Sequence, residues 1–306
     1  MEGVIKMLLK GIVYNDSNEE IISGIDDIKN NLAIKGVNLG ISEEMEAETH
    51  FIKIFCSDEE SNKRTIGNFN LYFSMLIYKM LAREFYDKKL DEFISETYFF
   101  LMDSEIDEVK RLCMDEFFCE GKIKDETEVY CINRKNSIIN KIKKFISETE
   151  EVNIEGYITF RIKEAEEDFQ SIVDKIIEKY MVEKEYDEFI KLLKYFVDIQ
   201  ECKIDEVNIY ADKDGNYKIF DSNGNSILNK MSEEVNISGY KAPVNKEDLI
   251  ISGLITLAPK RIVIHCAEYF FNKELLETIK KVFEQKIYFC DECKTCNILK
   301  KNFIRN

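Results

Sequence analysis

Ile158-Thr159-Phe160-Arg161-Ile162-Lys163-Glu164-Ala165-Glu166-Glu167-Asp168-Phe169-Gln170-Ser171-Ile172 is the stretch whose reading decides the fold. Its apolar residues Ile158, Ile162, Ala165, Phe169 and Ile172 continue to Ile176 and Tyr180 at intervals of three and four, which draws one stripe along a helix. Glu164, Glu166, Glu167 and Asp168 fall on the other face and read as solvated. A second stripe, Tyr186, Phe189, Ile190, Leu193, Phe196 and Val197, covers Glu185 to Gln200. The short joint Met181 to Lys184 predicts that the two helices fold back as an antiparallel pair over 157–200, packed along their stripes. A turn at Glu155-Gly156 precedes them.

Upstream, apolar residues keep helical spacing from Ile66 to Glu148, with breaks near Lys88, Asp103 and Gly121, so four helices join the pair in a helical domain over 66–200. Met75, Met80 and Met102 lie on or beside these faces and read as gap-filling core. The polar run Ser57 to Thr65 has no periodicity and reads as a linker. Before it, strand 7–14, helix Glu19–Ile34 and strand Glu48–Cys56 make a small α/β cap over 1–60.

Downstream, 201–306 reads as an α/β domain with a cysteine-rich tail. Strand-like segments Glu206–Ala211, Tyr217–Asp221 and Ser226–Leu228 are divided by Asp214-Gly215 and Asn223-Gly224, dipeptides suited to tight hairpins, and form a β-meander. Asn245 can cap a helix from Lys246, with Asp248 as the third residue of a variant capping box, and Pro259 stops it. Strand Arg261–Cys266, helix Lys273–Gln285 capped by Asn272, and strand Lys286–Cys290 follow. Such a unit is expected to be a right-handed crossover with parallel strands, which sets both strand ends on one edge. The fold class is α+β, predominantly helical.

The 306 residues are 45% hydrophobic and 33% charged, which places the chain among ordinary globular proteins with room for more than one unit. A formal charge of −16 opposes a phosphate backbone and excludes broad nucleic-acid binding. The basic cluster Lys286, Lys294, Lys300, Lys301 and Arg305 reads as a solvated tail. The N-terminal residues lack the apolar core of an export signal, and the longest mostly apolar run, Leu249 to Ala258, is about half a membrane span. Nine cysteines, an odd number, then imply reduced thiols and a cytoplasmic protein.

The sharpest chemical feature is Cys290-Asp291-Glu292-Cys293-Lys294-Thr295-Cys296, a C-x2-C-x2-C array at the end of a strand. Thiolates at this spacing can grip one metal ion, but a closed zinc site takes four ligands. His265 or Cys266, at the end of the neighbouring parallel strand, could supply the fourth, because adjacent strands lie about 4.8 Å apart. The same array fits unpaired thiols, zinc, a redox dithiol or an iron–sulfur cluster. Iron–sulfur fits worst, since the bacterial ferredoxin run needs a further cysteine where Lys300 stands.

Other chemistry is largely excluded. No G-x-x-x-x-G-K-S/T, G-x-G-x-x-G or G-x-S-x-G occurs, so phosphate-cradling loops and a nucleophile elbow are missing from the sequence. With His50 and His265 the only histidines, a Cys–His catalyst would have to use His265 beside Cys266, and neighbours on a strand point to opposite faces. Asp212-Lys213-Asp214-Gly215 has the outline of a calcium loop, yet Tyr210 would fill its first ligand position and its flanks are not helical. Arg161 reads as internally paired with a nearby glutamate, and Lys194 as laying its stem along the stripe with its ammonium in water.

Three blocks in order, Glu155-Gly156-Tyr157-Ile158-Thr159-Phe160-Arg161, then Val182-Glu183-Lys184-Glu185-Tyr186-Asp187-Glu188-Phe189-Ile190, then Leu192-Leu193-Lys194-Tyr195-Phe196-Val197, resemble the YtxC-like sporulation family of endospore-forming bacteria. The likeness continues more weakly through Ile255-Thr256-Leu257-Ala258-Pro259-Lys260-Arg261-Ile262-Val263-Ile264-His265 and covers about the second half of the chain. Glu201-Cys202 stands where a proline turn is expected in that family. The resemblance implies a cytoplasmic, sporulation-associated protein and carries across no catalytic residue or cofactor. A non-enzymatic interaction or regulatory protein, with another protein as partner, is the expectation. The alternative is zinc binding or thiol redox activity at the cysteine tail, and oligomeric state stays open.

Overall fold

In a computed structural model the described residues are 6–15, 19–119, 123, 125–211, 216–228, 245–291, 293, 294 and 296. Gly121, the Asp212–Gly215 segment and Lys300, Lys301 and Arg305 lie outside them, so the break, the hairpin turn and the basic tail expected there are not described. The chain divides into two compact units, Met1–Met181 and Val182–Asn306. Helices predominate, with two small mixed sheets, as the α+β reading expects.

The first unit opens with β1 (Lys6–Asn15), α1 (Glu19–Ile34), β2 (Gly40–Glu46) and β3 (Thr49–Ser57). A hairpin joins β2 to β3, β1 pairs antiparallel with β3, and β4 (Glu151–Asn153) runs parallel to β1 on its other side. β2 was not legible in the sequence: six of its seven residues are exposed, and Gly-Ile-Ser-Glu-Glu-Met-Glu has no apolar alternation to mark it. α2 (Lys63–Lys88), α3 (Leu90–Thr97), α4 (Asp103–Phe118) and α5 (Glu126–Glu148) are the four helices expected. Asn62 caps α2 through its side-chain oxygen, and Asp125 caps α5 likewise.

One apolar core joins this sheet to these helices, from Ile12 and Ile21 through Phe69, Phe85 and Phe117 to Phe169 and Ile177. Phe169 stacks on Phe85 at 5.1 Å and meets Phe117 edge-on at 5.5 Å. Lys10 is buried and donates to the carbonyls of Ile146 and Thr149, closing the last turn of α5. Burial pushes its ammonium below the ordinary lysine range.

The antiparallel pair expected over 157–200 is not formed. α6 (Ile154–Ile199) is one continuous helix, and Glu155-Gly156 lies in its first turn. Met181-Val182-Glu183-Lys184 contains neither Gly nor Pro, so nothing there interrupts the backbone ladder. Lys184 and Glu188, one turn apart across the supposed joint, approach to 3.9 Å. The two stripes therefore do not pack on each other: Phe169, Ile172 and Ile176 belong to the core of the first unit, and Ile190, Leu193 and Val197 to that of the second. Phe189 and Phe196, expected inside, stay 51% and 40% exposed. Asp168 is also misplaced by the sequence reading. Instead of facing water it is buried between Arg134 at 3.1 Å and Lys141 at 2.6 Å, both from α5.

The second unit builds a four-stranded sheet in the order β6-β5-β7-β8. β5 (Glu206–Ala211) pairs antiparallel with β6 (Tyr217–Asp221) and parallel with β7 (Arg261–His265), which pairs parallel with β8 (Ile287–Phe289). The third meander strand shrinks to a single bridge, Phe220 to Ser226, after the Asn223-Gly224 turn. α7 (Lys246–Leu257) stops before Pro259, and α8 (Lys273–Phe283) connects β7 to β8, its first turn capped by the Asn272 side chain. Val207, Ile209, Ile262 and Ile264 face the core made with both helices. By strand alternation Asn208, Tyr210, Val263 and His265 face the other way.

Candidate metal centre

The parallel register of β7 and β8 decides where the cysteine tail begins. Ile264 pairs with Phe289, and the Cys290 amide extends the ladder by donating to the Ile264 carbonyl at 2.9 Å. Cys290 thus leaves its strand beside His265, the last residue of β7, at the carboxyl ends of parallel strands where open α/β sheets place ligands. The chain then curls: the Cys293 amide lies 3.4 Å from Cys290 Sγ, and the Cys296 amide 3.5 Å from Cys293 Sγ. Each turn brings the next thiol back over the strand ends.

Four side chains converge. The ligand atoms of His265, Cys290, Cys293 and Cys296 all lie within 4.8 Å of one another. Cys296 Sγ is 3.4 Å from His265 Nδ1, 3.6 Å from Cys293 Sγ and 3.8 Å from Cys290 Sγ, and Cys293 Sγ is 3.6 Å from His265 Nδ1. His265 and Cys296 are buried, while Cys290 and Cys293 are half-buried. Such a set of one imidazole and three thiols can hold a metal ion.

The imidazole is held in the tautomer that coordination needs. Asn208 Nδ2 donates to Glu206 Oε1 at 3.0 Å, and a carboxylate only accepts, so the amide oxygen of Asn208 is the atom turned to His265. That oxygen lies 3.0 Å from Nε2, which must carry the proton and donate it, leaving the lone pair of Nδ1 toward the thiols. Tyr210, directly opposite His265 in the register, stacks on the ring at 4.0 Å between centroids and 12° between planes. Burial lowers the imidazole pKa against the weaker opposing field of Glu206, so the ring is neutral at neutral pH. Burial first, then hydrogen bonding with Cys266, Cys293 and Cys290, pushes the Cys296 thiol well up, so an arriving cation must displace its proton.

All five residues singled out from the sequence thus sit at this end of the sheet. Cys266 is not among the convergent four, but it hydrogen-bonds with Cys296. Its left-handed backbone, φ 53°, ends strand alternation just past His265 and lets both neighbours approach Cys296. The supporting residues Asn208, Glu206 and Tyr210 were missed. Their signal was present, since Glu206-Val207-Asn208-Ile209-Tyr210-Ala211 alternates polar and apolar residues and its polar face needed a partner. Elsewhere, Arg161 pairs with Glu164 at 2.5 Å as expected, and Lys194 pairs with Glu284.

A predominantly helical α+β protein with a three-cysteine, one-histidine cluster at the ends of parallel strands is the class that fold and site define. The chain belongs to the YtxC-like family, which matches residues 71–288 and so begins well upstream of the blocks that carry the resemblance. It is similar to the Uncharacterized protein YtxC of Bacillus subtilis (strain 168), with 25% identity over 213 residues, covering 68% of this chain and 74% of that protein. No solved structure matches it. Among the described residues no helix is long and apolar enough to cross a membrane.

Proposed function

We propose that the chain is a zinc-binding, non-catalytic interaction or regulatory protein of sporulating cells, with one zinc ion bound by His265, Cys290, Cys293 and Cys296. One observation carries this reading: the spacing of the four donors. Zn–S bonds of about 2.3 Å and a Zn–N bond of about 2.0 Å at tetrahedral angles require S···S edges of about 3.8 Å and S···N edges of about 3.5 Å. The S···S separations of 3.6 and 3.8 Å and the S···N separations of 3.4 and 3.6 Å lie within about 0.2 Å of those edges. Three thiolates and an imidazole favour zinc over magnesium or calcium, which take oxygen ligands.

The non-catalytic part rests on the number of donors. The two remaining separations, from Cys290 to Cys293 and to His265, are within 4.8 Å, so a small movement of Cys290 would complete the tetrahedron. A catalytic zinc keeps a position for water or substrate, and four protein donors would fill all of them. The link to sporulation, and with it a cytoplasmic location that keeps nine cysteines reduced, rests on membership of the YtxC-like family. The expected partner is another protein.

Anaerobic purification followed by metal analysis tests the site. About one zinc per chain is expected, and it should vanish in Cys290→Ser, Cys293→Ser and Cys296→Ser. A fully folded, metal-free protein that takes up no zinc would refute the reading. Cobalt replacement tests closure: the visible spectrum of the cobalt form should stay unchanged on adding imidazole or cyanide. A spectrum that shifts would mean an open position and overturn the non-catalytic assignment.

A further inference from the structure

We propose that Cys293 and Cys296 are a peroxide-reactive pair whose oxidation to a disulfide expels the metal, so that the ion is held only while the pair is reduced. This rests on the zinc reading of the same residues and adds its regulation. The two sulfurs are 3.6 Å apart before any oxidation, and the local backbone already turns one cysteine back toward the other. A disulfide of about 2.05 Å then needs a closure of about 1.5 Å, a matter of side-chain rotation.

Exposure and anchoring single out this pair among the three thiols. Cys293 is half-buried and can be reached by a small oxidant from solvent, whereas Cys296 is 1% exposed and meets no oxidant directly. Cys290 also lies near Cys296 but farther off, at 3.8 Å, and its amide is tied into the ladder at Ile264, so any backbone adjustment a disulfide needs is resisted there. The Cys293 amide points instead to the Cys290 sulfur, at 3.4 Å.

The chemistry balances with hydrogen peroxide as oxidant. The Cys293 sulfur attacks one peroxide oxygen; an S–O bond forms, the O–O bond breaks, sulfur gives up two electrons, and the departing hydroxide leaves as water with the proton of the thiol, or with one from solvent where zinc had replaced it. The Cys296 sulfur then attacks the Cys293 sulfur. An S–S bond forms, the S–O bond breaks, and the second hydroxide takes the Cys296 proton, or one from solvent where zinc had replaced it, and leaves as water. Two thiols and one peroxide become one disulfide and two waters. With both sulfurs consumed, only His265 and Cys290 remain as donors, too few for a closed zinc site.

The test uses the zinc-loaded full chain, titrated with hydrogen peroxide while a chromophoric chelator reports released zinc and mass spectrometry of peptides maps disulfides. One zinc should leave for each Cys293–Cys296 bond formed, with the mass of two hydrogens lost. Dithiothreitol with added zinc should restore both. Replacing the two exposed cysteines, Cys119→Ser and Cys202→Ser together, should leave the release unchanged. Zinc that stays bound while Cys119 and Cys202 oxidise in the parent chain would overturn the proposal, as would release through a Cys290–Cys296 or Cys266–Cys296 bond. The two readings fail differently. Protein that holds zinc and keeps the pair reduced sinks the disulfide alone, whereas protein that binds no zinc yet closes the bond sinks the metal reading and its regulation and leaves only a reactive pair.

Discussion

Replacing Asn208 by alanine probes the proposed metal centre without touching a proposed ligand. Its amide oxygen holds the proton of His265 on Nε2 at 3.0 Å, and His265 is only 5% exposed. Removing that acceptor leaves a buried N–H unpaired, which costs about 1–3 kcal/mol. Much of this cost appears in the metal-free and metal-bound forms alike and lowers stability rather than affinity. The affinity loss comes from the tautomer. Without Asn208 the proton can move to Nδ1, where the sulfurs of Cys293 and Cys296 at 3.6 and 3.4 Å accept it, and that tautomer cannot coordinate through Nδ1. Supporting contacts of this kind are worth about 10–100-fold in metal affinity, and Asn208→Ala should fall in that range. Glu206→Ala should cost less, below about tenfold, because it only frees the Asn208 amide to flip. It also removes the field that raises the His265 pKa, so it adds no protonation penalty. Competition with a chromophoric chelator measures the affinities, with circular dichroism to check folding. A folded Asn208→Ala protein within about twofold of the parent would refute the argument, as would a larger loss in Glu206→Ala.

Three further outcomes are expected. In metal-free protein, burial lowers the His265 pKa below its ordinary 6.5, so the stability contributed by the neutral ring is present above that value and lost as pH falls from there through the lowered folded value; thermal melts across this window should show the loss, and His265→Gln should flatten it. Asp168→Ala should destabilise the first unit by about 1–2 kcal/mol rather than the 3–5 of a fully buried pair, because the Arg134 and Lys141 side chains left behind are 42% and 58% exposed and can turn to water; urea denaturation followed by circular dichroism decides. Glu183→Pro should cost about 3 kcal/mol or more, since it removes a ladder hydrogen bond inside α6. A loss below about 1 kcal/mol would restore the turn read from the sequence at Met181–Lys184.

Local signals were legible wherever one residue settles the matter alone. Asn272 caps its helix, Pro259 stops α7, and Asn223-Gly224 turns the chain; Asn245 marks the start of α7 but makes no side-chain cap there, so the capping box read with Asp248 is not formed. What failed was the partner of a surface. Two stripes of matching spacing suggested that they met, yet each is equally satisfied by the core of its own unit, and only tertiary packing separates these solutions. Asp168 failed for the same reason: three acidic neighbours made it look solvated, and the cations that bury it come from α5, over twenty residues upstream. The cluster of His265 and three cysteines lay between these cases. The spacing of Cys290, Cys293 and Cys296 is local, and their approach to His265 follows once β7 and β8 are read as parallel. The choice of His265 over Cys266 needed the left-handed turn at Cys266, which no residue type announces.

β8 explains why this unit would need a metal there. It is three residues long, lies at the edge of its sheet, and exposes Tyr288 at 46% and Phe289 at 49%. Edge strands of this length gain little from burial, and the segment Asp291 to Cys296 interleaves polar residues with thiols and has no apolar stripe to bury. An ion bound by Cys290, Cys293, Cys296 and His265 would continue the link between β8 and β7 past the hydrogen bond from Cys290 to Ile264 that extends their ladder. Metal binding is then folding free energy for β8 and the tail, while the core around Ile209, Ile264 and Ile279 stands without it. Amide exchange should separate the two: chelation should expose the amides from Ile287 to Cys296 to rapid exchange and leave those of β5 and α8 protected. Equal loss of protection in β5 would mean that the metal holds the whole unit, and no loss in β8 that it holds none of it.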